Sequence, residues 1–257
     1  IEHDSNTVIN IPSGHYVLTI PPDSTNNVHS GDLNIPSSSS TNTITINGIG
    51  DEPAVIDANK LDRVFDIGAG VNIIINNVVI QGGYLAVTES GIWGAGIHSF
   101  GNLNFDHVVI KDNVLECGLP SCDFWMYGGG MYIGGGTVNI YASSIQQNSS
   151  PDSSAIYHTG GTLNLDHSTI SDNYASRGVT IENFDNLNIK NSTIAGNTSP
   201  GDSGIENYGT VSIASSTFAN SGIAATISHR YGSVTIKDSI LWAVPNTAGT
   251  SYNCYIY

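Results

Sequence analysis

The amino-acid sequence predicts an all-β fold, a right-handed parallel β-helix (a β-solenoid) of about nine or ten coils with loop insertions. Two observations carry this prediction. A segment such as TLNLDHSTISDN recurs along the chain, and its last four copies start 24, 24 and 23 residues apart, at Thr162, Asn186, Thr210 and Ser233. Within each copy apolar residues alternate with polar ones, which is the period of a strand with one buried face.

Stacked copies predict a continuous apolar core within a single domain, residues 1–257. The same apolar position is filled in successive copies by Leu103, Val138, Leu163, Leu187, Val211 and Val234. One coil cannot bury its own apolar face, whereas a stack of coils can. A helical fold is not expected, because apolar residues do not recur at helical spacing and many are β-branched.

A polar column accompanies the apolar ones. One position of successive coils is filled by Asn113, Asn148, Asn173 and Asn197. Stacked asparagines can hydrogen-bond along the stack and tolerate turn conformations, so these residues are predicted to form a structural ladder. Asn183 and Asn207 form a shorter second ladder, and His158 and His229 fall at the same inner position.

Insertions break the repeat at Pro21–Ser40, Tyr84–Ala95 and Val114–Gly128. The last two leave the stack at the same corner, so they are expected to protrude side by side. Their candidate binding surface consists of Tyr84, Trp93, Phe124, Trp125 and Tyr127. Two interpretations stay open: a recognition patch on a rigid scaffold, or aromatic side chains that fold back over the helix flank.

Composition limits the partners and the location of the protein. The chain has 22 acidic and 7 basic residues, a net charge of −15, so a nucleic-acid partner is not expected. No apolar run is long enough for a transmembrane segment. Cys117 and Cys122, in CGLPSC, predict a local disulfide in an extracellular or cell-surface setting, and Cys254 is left over, free or paired outside the chain.

One pair of carboxylates could support catalysis. Glu182 and Glu206 each follow the inward isoleucine of successive coils, so they are outward neighbours about 5 Å apart. Retaining glycosidases use carboxyl groups at this spacing, and Phe184 and Tyr208, two residues further on, could stack a sugar. Alternatively the two glutamates splay apart in water or hold a cation such as Ca²⁺; no other cofactor or metal is expected.

Other catalytic patterns are missing from the sequence. A lyase of the pectate-lyase type needs a carboxylate cluster with a nearby base. The arginines are scattered along the sequence, and no aspartate cluster is expected in register with them: Arg63, Arg177 and Arg230. Asp166 and His167 look like a dyad, but adjacent strand residues point to opposite faces, so contact is not expected. No Ser-His-Asp geometry follows from the sequence.

Two stretches carry a resemblance to known families. The stretch SGDLNIPSSSSTNTITINGIGDEPAVIDANKLDRVFDIGAGVNIIINNVVIQGG resembles the opening coils of bacterial surface proteins of the CSLREA-domain type. Later repeats such as GIENYGTVSIASSTF resemble polymorphic outer-membrane protein repeats. The resemblance spans residues 7–242 and implies a right-handed β-helix in a large exported protein. It implies no catalytic residues, and a fragment or processed form is expected, since no anchor region is recognisable and the chain begins at Ile1.

The repeat, the composition and the resemblance predict a structural or adhesive β-solenoid without catalytic activity. Expected partners are cell-surface glycans or proteins and other copies of the chain. The first residues lack an amphipathic-helix pattern and the end, SYNCYIY, is apolar, so both ends are expected to need a cover. Either missing parts of a longer chain cover them, or neighbouring molecules stack head to tail into filaments. The alternative is a glycoside hydrolase, a polysaccharide lyase or a glycan-binding module on the same scaffold.

Overall fold

The computed structural model describes residues 6–22, 31–39, 41–199, 204–221, 225–243 and 252–256. These residues form strands and turns, with no helix among them. All pairings between strands are parallel, and the strands build one sheet of 20 strands and one of nine. The predicted parallel β-helix is thereby confirmed, and the nine-stranded sheet, with one strand from each coil, agrees with about nine or ten coils.

The first sheet contains two or three short strands from most coils. Its strands are Thr7–Val17, Thr43–Asp57, Asn72–Asn76, Val78–Gln81, Tyr84–Val87, Asn102–Asp106, Val109–Lys111, Val114–Cys117, Thr137–Tyr141, Ser144–Gln146, Ser149–Ser150, Thr162–Asp166, Thr169–Ser171, Tyr174–Ala175, Asn186–Lys190, Thr193–Thr198, Thr210–Ala214, Thr217–Ser221, Ser233–Lys237 and Ile240–Ala243.

The second sheet carries the functional candidates. Its strands are Leu33–Ile35, Phe65–Ile67, Ile97–Ser99, Met131–Ile133, Ser153–His158, Val179–Asn183, Ile205–Asn207, Ala225–His229 and Tyr252–Ile256. Each strand has an inward residue followed by an outward one, as in the register Ile181↔Ile205 and Glu182↔Glu206. Side chains at one position therefore stack along the axis at about 4.8 Å, the spacing of paired strands.

Left-handed residues form the corners of the coils. His167 (φ 51°) and Asp172 (φ 56°) flank the strand Thr169–Ser171, and neighbouring coils repeat this arrangement. Polar residues such as Asn, Asp and His adopt this conformation more easily than apolar ones. The corners bend the chain without a long loop, so that successive coils stay in register.

The apolar column lies in the core at the predicted position. Leu163 pairs with Val138 on one side and Leu187 on the other, and all three side chains are fully buried. The asparagine column also forms a ladder inside the coil stack. The Asn148 Nδ2 atom donates to the Asn173 Oδ1 atom at 3.0 Å, and links of 2.9 Å join Asn113 to Asn148 and Asn173 to Asn197.

Two of the three predicted insertions begin as strands. Tyr84–Val87 and Val114–Cys117 pair with each other in the first sheet, so the protruding segments start only after them. A disulfide joins Cys117 and Cys122, whose Cα atoms are 5.9 Å apart. A small second core beneath these segments contains Val87, Ala95, Leu115 and Met126.

Head-to-tail assembly stays a prediction. It concerns the chain ends, and residues 1–5 and 257 lie outside the described residues. Residues 23–30 and 40 of the first predicted insertion also lie outside them. The backbone of Tyr252–Ile256, which includes Cys254, pairs with the strand Ala225–His229 and continues the second sheet.

Candidate functional site: a carboxylate cleft beside an aromatic row

The outer face of the second sheet carries a row of stacked rings that runs along the helix axis. We call it the aromatic row: His98, Tyr132, Tyr157, Phe184, Tyr208 and Tyr231. Neighbouring rings have centroids 4.6 to 6.1 Å apart, and the closest pair, Phe184 and Tyr208, is parallel within 3°. The row crosses six consecutive coils: His98, Tyr132 and Tyr157 share one outward register position, and Phe184, Tyr208 and Tyr231 lie just beyond the ends of the next three strands.

The second and third insertions add further rings to the aromatic row. Trp93 packs on Tyr132 at 4.9 Å, and Tyr127 stacks on Tyr157 at 4.0 Å. Trp125 lies outermost, is 64% exposed and faces Tyr127 at 6.3 Å. Trp93 and Tyr127 thus fold back over the sheet, whereas Trp125 stays accessible, and a recognition role for the insertions stays a prediction.

Two residues of the predicted aromatic surface lie elsewhere. The Tyr84 hydroxyl donates to the Glu116 carboxylate within the strand pair of the first sheet. Phe124 packs against the small second core. The predicted surface therefore reduces to Trp93, Trp125 and Tyr127, because the strand pairing carries Tyr84 away from the others.

A cleft of about 410 Å³ opens at one part of the aromatic row. We call it the carboxylate cleft. Two tyrosines, three acidic residues and two arginines line it, and Trp125 borders it: Tyr127, Tyr208, Asp152, Glu182, Glu206, Arg177 and Arg230. Its size falls within the range of small-ligand sites.

An Asp152–Arg177 ion pair fixes one wall of the cleft. The Arg177 Nε and Nη2 atoms donate to the two Asp152 carboxylate oxygens at 2.7 and 2.9 Å. Asp152 is 3% exposed and also accepts the Met126 backbone N–H. Arg177 donates further to the Phe124 carbonyl and lies 5.5 Å from the Trp125 ring centre. The arginine thus ties the third insertion to the coil stack.

The opposite wall holds Glu206 in a fixed orientation. Arg230 Nε donates to Glu206 Oε1 at 2.8 Å, and the Tyr208 hydroxyl donates to the same oxygen at 3.1 Å. Burial, followed by the charge of Glu206, raises the pKa of Tyr208 to about 12, so its hydroxyl remains a donor. Two donors on one oxygen fix the orientation of the Glu206 carboxylate.

Glu182 lies between these ion pairs without a partner of its own. The residue is 7% exposed, lines the cleft, and has no hydrogen bond or ion pair with any residue that the structure describes. Burial, and then the charges of Glu206 and Asp152, raise its pKa to about 8. Glu182 is therefore mostly protonated at neutral pH, and it lies beside Glu206, which accepts from Arg230 and Tyr208.

Three expectations about ionic groups need correction. Each arginine does meet an acid. Arg177 pairs with Asp152 and Arg230 with Glu206 of the preceding coil, and Arg63 pairs at 2.9 Å with Asp66, three residues further along its own coil. The expected separation of Asp166 and His167 is also wrong, since the left-handed histidine turns its ring back to 2.8 Å from Asp166 Oδ1. The two glutamates do not both splay into water, because Glu182 is buried.

Several residues of the site were not predicted from the sequence. Tyr132 and Tyr157 follow inward residues of their strands, as Glu182 and Glu206 do, so the same rule could have identified them. Asp152 and Arg177 lie in or beside irregular segments, and no repeat position marks them.

Searches for metal sites, for membrane-spanning helices and for similar proteins found none for the described part of the chain. Within the described ranges no group of three or more His, Cys, Asp or Glu side chains is placed to hold a metal ion. The same residues include no helix long and apolar enough to cross a membrane. Comparisons with protein-family models, with curated proteins and with solved structures gave no match.

Proposed function

We propose that this protein is an extracellular or cell-surface β-solenoid that binds a neutral polysaccharide lengthwise along the aromatic row. The observation that carries the proposal is the series of ring contacts from His98 to Tyr231, with one ring from each of six coils. Strands repeat about every 4.8 Å, which is close to the length of one pyranose unit in an extended chain. Successive sugars can therefore meet successive coils.

Accessible rings supply the contact surface. Trp125 is 64%, Phe184 41% and Tyr231 71% exposed. A contiguous exposed apolar patch on a protein surface commonly marks a binding site. The C–H face of an equatorially substituted sugar is flat and apolar, and it packs well on such rings. A β-linked glycan presents these faces along its whole length.

Charge favours a neutral glycan over a polyuronate. The cleft contains three acids and two arginines, and Arg177 and Arg230 are both ion-paired with acids of the cleft. The whole chain carries a net charge of −15. A polyanion would meet repulsion without a free basic group to offset it at the cleft.

The disulfide supports the proposed location. Disulfides persist in oxidising compartments and are rare in the cytosol, and Cys117–Cys122 closes the insertion that carries Trp125. Glycan binding outside the cell agrees with an adhesive role, in which the rigid stack holds the row straight.

Binding can be tested with soluble polysaccharides in affinity electrophoresis and calorimetry. We expect retention by mixed-linkage β-glucan, xylan or galactomannan, and none by polygalacturonate or alginate. Trp125→Ala and Phe184→Ala should each weaken binding about tenfold, the loss of one ring contact of about 1.4 kcal/mol. The control is Tyr141→Ala, since Tyr141 is 47% exposed on the first sheet.

Two results would contradict the proposal. One is an absence of binding to every neutral glycan while a polyuronate binds. The other is an equal loss of binding in Tyr141→Ala and Phe184→Ala, which would place the ligand away from the aromatic row.

A further inference from the structure

Glu182 is the feature of the cleft that glycan binding alone does not explain. Glu182 is 7% exposed, and its carboxyl group has no hydrogen-bond partner among the described residues. Such groups mark functional sites when they face a cavity beside a second, differently held acid. Glu182 faces the carboxylate cleft and lies in register with Glu206 on the next strand.

We propose that the carboxylate cleft hydrolyses the neutral β-linked glycan that it binds, with Glu182 as general acid and base and Glu206 as nucleophile. The inference rests on the proposed function, because it needs a glycan along the aromatic row. Adjacent strands are about 4.8 Å apart, so the spacing favours the retaining arrangement, whose carboxyl groups are about 5 Å apart, over the wider inverting one.

The reaction would proceed in two balanced displacements. In the first, a Glu206 carboxylate oxygen bonds to the anomeric carbon while the glycosidic C–O bond breaks, and Glu182 gives its proton to the departing sugar oxygen. In the second, Glu182, now a carboxylate, takes a proton from water as the water oxygen bonds to the anomeric carbon. The ester bond to Glu206 breaks, both carboxyl groups return to their starting states, and the configuration is retained.

The groups around each glutamate determine which one acts as the acid and which one as the nucleophile. Arg230 and Tyr208 both donate to Glu206 Oε1, which holds the carboxylate in one orientation and leaves the second oxygen without a hydrogen bond from any described residue. The raised pKa of Glu182 gives it the proton that a general acid needs. Asp152 is not available as a third participant, because Arg177 engages both of its oxygens.

The test separates chemistry from binding. Mixed-linkage β-glucan, xylan and galactomannan are incubated with the whole chain, and released reducing ends are counted. Glu182→Gln should lower cleavage about a thousandfold while glycan binding is retained. A dinitrophenyl β-glycoside of the cleaved sugar has a leaving group that needs no acid, so Glu182→Gln should still release dinitrophenol in a burst. Glu206→Gln should cleave neither substrate.

The nucleophile can be identified directly. The 2-fluoro analogue of the same dinitrophenyl glycoside should add one sugar to the wild-type chain, on the peptide that contains Glu206. The Glu206→Gln variant should stay unlabelled. Glu89→Gln, the same chemical change at an exposed position, is the control and should behave as wild type in every assay.

The outcomes distinguish the two proposals. Binding of a neutral glycan without any release of reducing ends would overturn hydrolysis and leave the binding function intact. Cleavage at the wild-type rate by Glu182→Gln, or a label on another residue, would overturn the assigned roles. Failure of the wild-type chain to bind any neutral glycan would contradict the proposed function, and hydrolysis with it.

Discussion

Replacing Glu182 with glutamine should stabilise the fold at neutral pH. Burial raises the pKa of Glu182 from 4.5 to about 8. Between pH 4.5 and pH 8 the folded chain therefore holds a proton on Glu182 that the unfolded chain has lost. Stability then falls as pH rises, by about 1.4 kcal/mol for each pH unit in this window. At pH 7 the cost is about 3 kcal/mol, and below pH 4.5 it vanishes.

Glutamine has nearly the shape of the protonated acid and does not titrate, so Glu182→Gln removes this cost. We expect the variant to exceed the wild type by about 3 kcal/mol in free energy of unfolding at pH 7 and to match it at pH 4. Equilibrium urea unfolding at pH 4, 5.5 and 7, followed by circular dichroism, measures the difference. Glu89→Gln removes the same charge from an exposed site and corrects for the general repulsion in an acidic protein.

A particular pattern of results would refute the reasoning. If Glu182→Gln changes stability equally at pH 4 and pH 7, the carboxyl group of Glu182 titrates normally and is not held protonated by the fold. If the variant is less stable than the wild type at pH 7, the carboxyl makes a stabilising contact, and its role as an unpartnered acid fails.

Three other predictions concern the groups around this site and the core. Arg177→Ala leaves the Asp152 charge buried and should cost about 3 kcal/mol in urea unfolding, a loss that Arg177→Lys should partly restore. Asn148→Ala interrupts the inner ladder and should cost about 3 kcal/mol, whereas Asn164→Ala, in an outer amide ladder, should cost less than about 1 kcal/mol. Glycan cleavage should decline above about pH 8, where Glu182 loses its proton, and a flat profile to pH 10 would count against its role.

The coil stack could be predicted because its signal repeats. Leu163 and Leu187 are buried for the same reason, and each copy of the segment adds to the pattern that reveals it. The inner asparagine ladder was visible for the same reason. The register of Glu182 and Glu206 also followed from their position after an inward isoleucine.

The surroundings of the glutamates could not be predicted in the same way. Arg177 reaches Asp152 across a coil boundary, and the pairing depends on irregular segments that have no period. Tyr127, which lines the cleft together with Glu182, comes from the third insertion and stacks on Tyr157. Repetition predicts which face a side chain points to, whereas the insertions decide whether that face is covered.

The strand assignment of Tyr84 shows a related limit. The segments Tyr84–Val87 and Val114–Cys117 depart from the repeat, which predicts that they belong to loops. In the structure they pair with each other in the first sheet. Their apolar residues Leu85 and Leu115 pack with the second core. Two segments that lie outside the repeat can thus pair with each other as strands. A search for one shared period does not detect such a pair.

The central claim is that the aromatic row and the carboxylate cleft form one site for a neutral glycan chain. A crystal structure of Glu182→Gln with a neutral β-linked hexasaccharide of the glycan that binds tests it most directly. We predict sugar rings packed on Phe184 and Tyr208, a chain parallel to the helix axis, and a glycosidic oxygen next to residue 182 with the anomeric carbon facing Glu206. A chain that crosses the axis, or that binds on the first sheet, would contradict the account.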